Sequence, residues 1–259
     1  GRPDPPRAGR AADTFVGALG CRDPSRRAGL TREWEQMEGR IDVHIHSLLS
    51  DGVLLPSEVL RRMACLGCAG LAFADHADAS NLESIISALR RLVADQGDDY
   101  PFPVLVGVEL THVAPSSIGR LAKRARAAGA QIVVVHGETL VEPVAPGTNR
   151  AAVECPDVDV LAHPGLLTPE EARLAAAHGV FLEITSRPGH CLSNGRVAAL
   201  AREAGAPFLV NTDAHRPSDL IDLEMARRVA LAAGLTLAEA EAAVRAQPVA
   251  LLQRALERR

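Results

Sequence analysis

Positions 40–52 read RIDVHIHSLLSDG: two imidazoles, His44 and His46, stand two residues apart on an apolar run, and Asp51 follows in a glycine turn. Alternate residues of an extended chain point the same way. The pair is therefore aimed at one spot with a carboxylate nearby, which is the chemistry of a metal ligand set. H-x-H alone is weak evidence, but later runs end alike. "GLAFADH" ends in Asp75 and His76, "VLVGVEL" carries Glu109, "QIVVVHG" ends in His136, and "VDVLAHP" ends in His163. "VFLEIT" carries Glu183, and "FLVNTDAH" ends in Asp213 and His215.

A single histidine of this kind usually belongs to a core. Six of nine at run ends, beside Glu109 and Asp213, point instead to a shared site. Imidazole and carboxylate suit Zn²⁺, Mn²⁺ or Fe²⁺. Nine candidate ligands (His44, His46, Asp51, His76, Glu109, His136, His163, Asp213, His215) exceed what one tetrahedral ion takes, so two or three divalent ions are expected. Glu109 and Asp213 are the natural bridges and catalytic carboxylates, since only a carboxylate in this set can hold two ions.

The elements that must position these groups follow from periodicity. Apolar runs at 41–45, 70–75, 104–109, 131–136, 158–163, 180–185 and 207–212 alternate with helical spacing at about 56–67, 81–96, 116–129, 169–178 and 194–204. Helical patterns also fill 222–233 and 236–257. Pro56 and Pro169 suit first helical turns, and Gly129, Gly179 and Gly205 suit helix ends. Alternating strand and helix predicts an α/β fold with a parallel sheet and right-handed crossovers. Seven strands suggest a closed or nearly closed, TIM-like βα barrel with its site at the C-terminal strand ends; a doubly wound open sheet is the alternative. Residues 1–36, rich in Pro, Gly and Arg, are expected to form a flexible tail before one domain over 37–259.

Composition narrows the partners. A net charge of −4 and 3% aromatics lack the basic face and stacking platforms of a nucleic-acid binder, which favours a small anionic substrate. No apolar run approaches the ~20 residues of a membrane span, and no secretory signal is evident, so a cytoplasmic location is expected. Cys65 and Cys68 form a CxxC without a second pair, which reads as packing in a reducing compartment. Oligomeric state is left open.

The motifs "HIH…SDG", "ADHAD", "VVVHG" with "LAHPG", and "NTDAH", in that order between about residues 40 and 218, resemble the PHP (polymerase and histidinol phosphatase) family. The resemblance implies a distorted seven-stranded βα barrel and a trinuclear site. His44, His46, Glu109 and Asp213 would hold the first ion; Glu109, His136 and His163 the second; Asp51, His76 and His215 the third. It also implies phosphoesterase activity, of the stand-alone histidinol-phosphatase or nucleotide-phosphatase kind.

Phosphate recognition needs cations or backbone N–H groups near the ions. Arg187 in "TSRPGH" and Arg150 in "APGTNRAA" are the candidates, with His112 and Glu183 as further substrate contacts and His190 as a proton donor. Asp75 or Asp78 is expected to orient His76, and His178 to close a helix. Competing readings are a metal-dependent exonuclease, an amidohydrolase and a non-catalytic metal-stabilised scaffold. Binuclear amidohydrolases commonly use a carbamylated lysine, and the sole lysine, Lys123, lies within a helical stretch.

Overall fold

The computed structural model describes residues 39–258; the expected 1–36 tail lies outside them. Among the described residues nine parallel strands form: β1 (Ile41–Ile45), β2 (Gly70–Phe73), β3 (His76–Ala77), β4 (Val104–Leu105), β5 (Gly107–Leu110), β6 (Ile132–His136), β7 (Val160–Ala162), β8 (Phe181–Thr185) and β9 (Phe208–Asn211). Helices α1 (Pro56–Cys65), α2 (Leu82–Gln96), α3 (Pro115–Ala128), α4 (Thr148–Val153), α5 (Pro169–His178) and α6 (Asn194–Ala204) connect them, followed by α7 (Leu223–Ala232), α8 (Leu237–Glu241) and α9 (Gln247–Glu257). Pro56 and Pro169 open α1 and α5, and left-handed glycines 129, 179 and 205 end α3, α5 and α6, as the sequence predicts; Pro115 also opens α3.

The strand count differs from seven for a local reason. Two expected strands are each broken in two, the second into β2 and β3 and the third into β4 and β5. The pieces pair in different sheets, β1-β2-β4 and β3-β5-β6-β7-β8-β9. The two sheets meet again where the chain beyond β9 bridges β1 at Ile45 and Ala214. There His46 N–H donates to Ala214 O (2.9 Å) and Asp213 N–H to His44 O (3.0 Å).

Strand alternation divides the core. Val133, Val135, Leu161, Leu182 and Ile184 face the helices. Ile132, Val134, Val160, Phe181 and Leu209 face inward, where Leu251, Leu252 and Ala255 of α9 pack against them. The inward rows carry the site at their far ends.

Candidate metal centre

Four inward rows end in a polar residue. Gly107 leads to Glu109, Ile132 and Val134 to His136, Phe181 to Glu183, and Leu209 to Asn211. His163 would fall on the helix-facing side by alternation, after Leu161; its backbone instead turns to a positive φ of 26°. Asp213 is turned similarly, at φ 52°. Left-handed backbone at non-glycine residues costs about 1–3 kcal/mol and collects at functional sites.

Glu109 and Asp213 sit at the centre, both buried. His44 Nε2 lies 3.3 Å from Glu109 and 3.7 Å from Asp213. His46 Nε2 lies 3.2 Å from Asp213 and 3.8 Å from Glu109. His163 Nε2 is 3.5 and 3.6 Å from the same two carboxylates. The β3–β5 register pairs His76 with Glu109, and His76 Nδ1 lies 2.6 Å from Glu109 Oε2.

A second group faces Asp51. Its Oδ1 lies 3.1 Å from His215 Nε2, 3.5 Å from His76 Nε2 and 4.0 Å from His46 Nδ1. The loop bearing Asp51 is held by buried Asp75, which accepts from Ser47 N–H (2.7 Å) and the Ser47 and Ser50 hydroxyls (2.9 and 2.8 Å). Gly52 completes the turn, since a Cβ there would come within 2.7 Å of His46 O. Asp75 thus fixes this loop rather than His76, and Asp78 caps Ser80. Thr111 and Glu109 set the His76 ring instead.

A third group lies around His136. His136 and His112 each place Nε2 3.0 Å from Glu142 Oε2, and His190 Nε2 is 3.3 Å from Glu142 Oε1. The His163 and His190 ring centroids are 4.3 Å apart.

Ring nitrogens converge here. Glu183 takes the His44 Nδ1–H at 2.7 Å, so Nε2 faces Glu109 and Asp213, and its lone pair becomes available when the ring loses its second proton. Buried atoms without a hydrogen-bond partner include His44 Nε2, both His46 nitrogens, both His163 nitrogens, His215 Nε2 and Glu109 Oε1. Such orphans are costly unless a cation sits among them. The donor set therefore fits divalent metal ions. Protonation follows the same logic: burial lowers the His44 pKa, yet Glu183, Glu109 and Asp213 outweigh that and hold it well above the usual imidazole value. Burial drives His46 well below it. Burial raises Asp213, while His44, His76 and His136 overcome burial and hold Glu109 low.

All nine expected ligands meet in this region, but four other expectations change. Glu183 is wholly buried beneath the site, its oxygens taken by His44, Asn211 Nδ2 (2.8 Å) and His163 N–H (3.1 Å), so it braces these residues from below and is closed to a substrate. Arg150 pairs with Glu154 and Glu170. Its helix N-terminus is filled by Glu138, which accepts from Gly147 and Asn149 N–H groups, leaving no place for an anion. Burial, then His163, pushes His190 down to about 4, so at neutral pH it is the neutral imidazole and not the imidazolium that a general acid uses. His112 reaches the site through Glu142 rather than standing free. Arg187 does reach the centre: it donates to Asp213 O (3.1 Å) and lies 2.8 Å from His215 Nδ1. His178 bonds Val153 O at its helix end, as expected.

Glu142 was missed. It follows strand-like "VVVHG" by five residues in "GETLVEP", and only the fold brings it to His112 and His190. The thiol of Cys68 is buried against Gly70 O and burial pushes it up to about 12, in keeping with a packing role. Among the described residues, no helix is long and apolar enough to cross a membrane.

No family model matches the chain. Among solved structures, the proposed histidinol phosphatase hisK of Listeria monocytogenes is 13% identical with a TM-score of 0.51, covering 70% of this chain and 97% of that one. An amidohydrolase from a Sargasso Sea environmental sample is 17% identical with a TM-score of 0.54, covering 84% and 66%. These likenesses concern the fold. Sequence relatives are nearer. Ribonuclease P protein component 3 of Methanosarcina mazei is 30% identical over 194 residues, covering 69% of this chain and 74% of its own. The uncharacterized protein MJ1295 of Methanocaldococcus jannaschii is 48% identical over 218 residues, 83% of this chain and 99% of its own. With relatives this similar over most of their length, the chain belongs to the family that contains MJ1295 and ribonuclease P protein component 3.

Proposed function

We propose that this chain is a PHP-type metal-dependent phosphoesterase, built on a distorted βα barrel, that hydrolyses a small phosphomonoester such as histidinol phosphate, a nucleotide or a sugar phosphate. The observation that carries the reading is the convergence of buried, unpartnered imidazole and carboxylate atoms on Glu109 and Asp213. The motif resemblance and the fold likeness to a proposed histidinol phosphatase support the same class.

His44, His46, Glu109 and Asp213 would hold one ion, His136 and His163 with Glu109 a second, and Asp51, His76 and His215 a third, of zinc, manganese or iron. Bound divalent ions supply Lewis acidity toward phosphate oxygens and bring the pKa of water near neutrality. The protein's own part is positional. Glu183 fixes the His44 tautomer so that Nε2 faces the centre. Arg187, braced by Asp213 O and partly exposed, offers a guanidinium edge to an incoming phosphate.

A release assay for inorganic phosphate across histidinol phosphate, nucleoside monophosphates and sugar phosphates, run with Mn²⁺ and with Zn²⁺, tests this. Turnover of at least one monoester that is lost with chelator is expected. Turnover of amide or deamination substrates alone would overturn the reading. Kinship to ribonuclease P protein component 3 favours a second reading, an RNA-associated role. A gel shift with structured RNA at physiological salt tests it directly.

A further inference from the structure

We propose that the ion held by His136 is completed from the outer side by His112 and Glu142, with His190 in reach, so that this outer subsite takes ligands from the rim loops. Three loops supply it. His112 follows β5, Glu142 lies between β6 and α4, and His190 follows β8. None of the three belongs to the nine residues expected as ligands, and the proposal rests on the metal-binding part of the function above.

Lone-pair geometry is the first argument. The His136 Nδ1–H faces Gly137 O at 3.2 Å, so a neutral ring points its Nε2 lone pair at Glu142 Oε2, 3.0 Å away. His112 Nε2 meets the same oxygen at 3.0 Å, and His190 Nε2 meets the other oxygen at 3.3 Å. Three imidazoles gathered on one carboxylate form a donor set that suits a divalent cation once their protons are lost. Two histidines and a carboxylate with solvent on one side form the kind of open set that transition metals occupy.

Backbone strain is the second argument. Among the described residues, the non-glycine positions with positive φ are His112, His163 and Asp213. Two of these are central to the metal centre, and His112, at φ 52°, is the third.

Loop packing is the third. Gly165, at φ 59°, lies so close to the 137–147 loop that a Cβ would come within 1.9 Å of Glu138 O, and Gly189 carries Val141 against it. Glu142 is thereby held over His136 rather than left to sample solvent. Because Glu142 and His112 remain partly exposed, the ion keeps positions open toward the mouth of the site, where it would take a substrate oxygen.

Titration of the metal-free full-length chain with Co²⁺, followed by visible d–d absorption and by ion counting after gel filtration, tests the proposal. Wild type is expected to take up one equivalent more than His112→Ala or Glu142→Gln. Each variant should lose the weakest-binding phase, by more than the roughly 10- to 100-fold lost with an outer-shell partner. Both residues sit on exposed loops, and thermal melts of the metal-free variants check that folding is intact. Identical stoichiometry and affinity in wild type and both variants would overturn the subsite while leaving the inner centre standing. A chain that binds no Co²⁺ would overturn both.

Discussion

Glu183 Oε1 stands 2.7 Å from His44 Nδ1, both side chains fully buried, and the same carboxylate bonds Asn211 and the His163 backbone. One acid thus sets a ligand ring from below and ties three strands together at the site. Glu183→Gln keeps the shape but can place an amide N–H against His44. Metal affinity is expected to fall about 10- to 100-fold, measured by competition with a chromophoric chelator. Unchanged retention would show that His44 needs no such support.

Metal loading is expected to release protons. Carboxylates outweigh burial and raise the pKa values of His44, His76 and His136 above the ordinary 6.5. These rings therefore carry protons in the metal-free protein at pH 6.5 and somewhat above, and ligation requires their loss. The sign is fixed: affinity rises as pH climbs from 6.5 through the raised values. Calorimetry in buffers of different ionisation enthalpy should give heats that track the buffer; buffer-independent heats would contradict it.

Arg187→Ala is expected to lower kcat/KM on a phosphomonoester by about 10- to 200-fold, the equivalent of roughly 1.5–3 kcal/mol for a charge-assisted contact. Lysine should restore only part, lacking the planar fork. Ion content should hold, because Asp51 and His76 still face His215. Steady-state kinetics with parallel metal analysis decides; a change under twofold would move phosphate recognition elsewhere.

Asp75→Ala removes the acceptor for one backbone N–H and two hydroxyls in the loop that carries Asp51. A loss of about 1–3 kcal/mol of stability is expected, together with weaker metal binding on the Asp51 side. Chemical denaturation and chelator competition would report each. A variant as stable as wild type would mean the loop is fixed by other contacts.

Much of this was legible in the sequence because strand alternation and strand-end chemistry are local. His44, His46, His76, Glu109, His136, His163, Asp213 and His215 could be picked out from their places at run ends. What escaped was whatever depends on meeting across the fold. Nothing near Arg150 announces that Glu138 already fills its helix N-terminus. Nothing in "TLVEP" announces that Glu142 faces His112 and His190, 30 and 48 positions away. The burial that turns Glu183 from a substrate contact into a buttress likewise belongs to the assembled strands. The break between β4 and β5 was hidden because Val106 continues an apolar run, and that between β2 and β3 because Asp75 reads as the polar end of one strand.

The single bridge between Ile45 and Ala214 has a mechanical consequence. It joins β1 to the segment beyond β9, and His44 and His46 flank it on one side, Asp213 and His215 on the other. An ion gripped from both flanks is a rivet through that join. Stripping the ion should let the join breathe before anything else does, so hydrogen exchange at the His46 and Asp213 amides becomes a gauge of occupancy that needs no substrate at all.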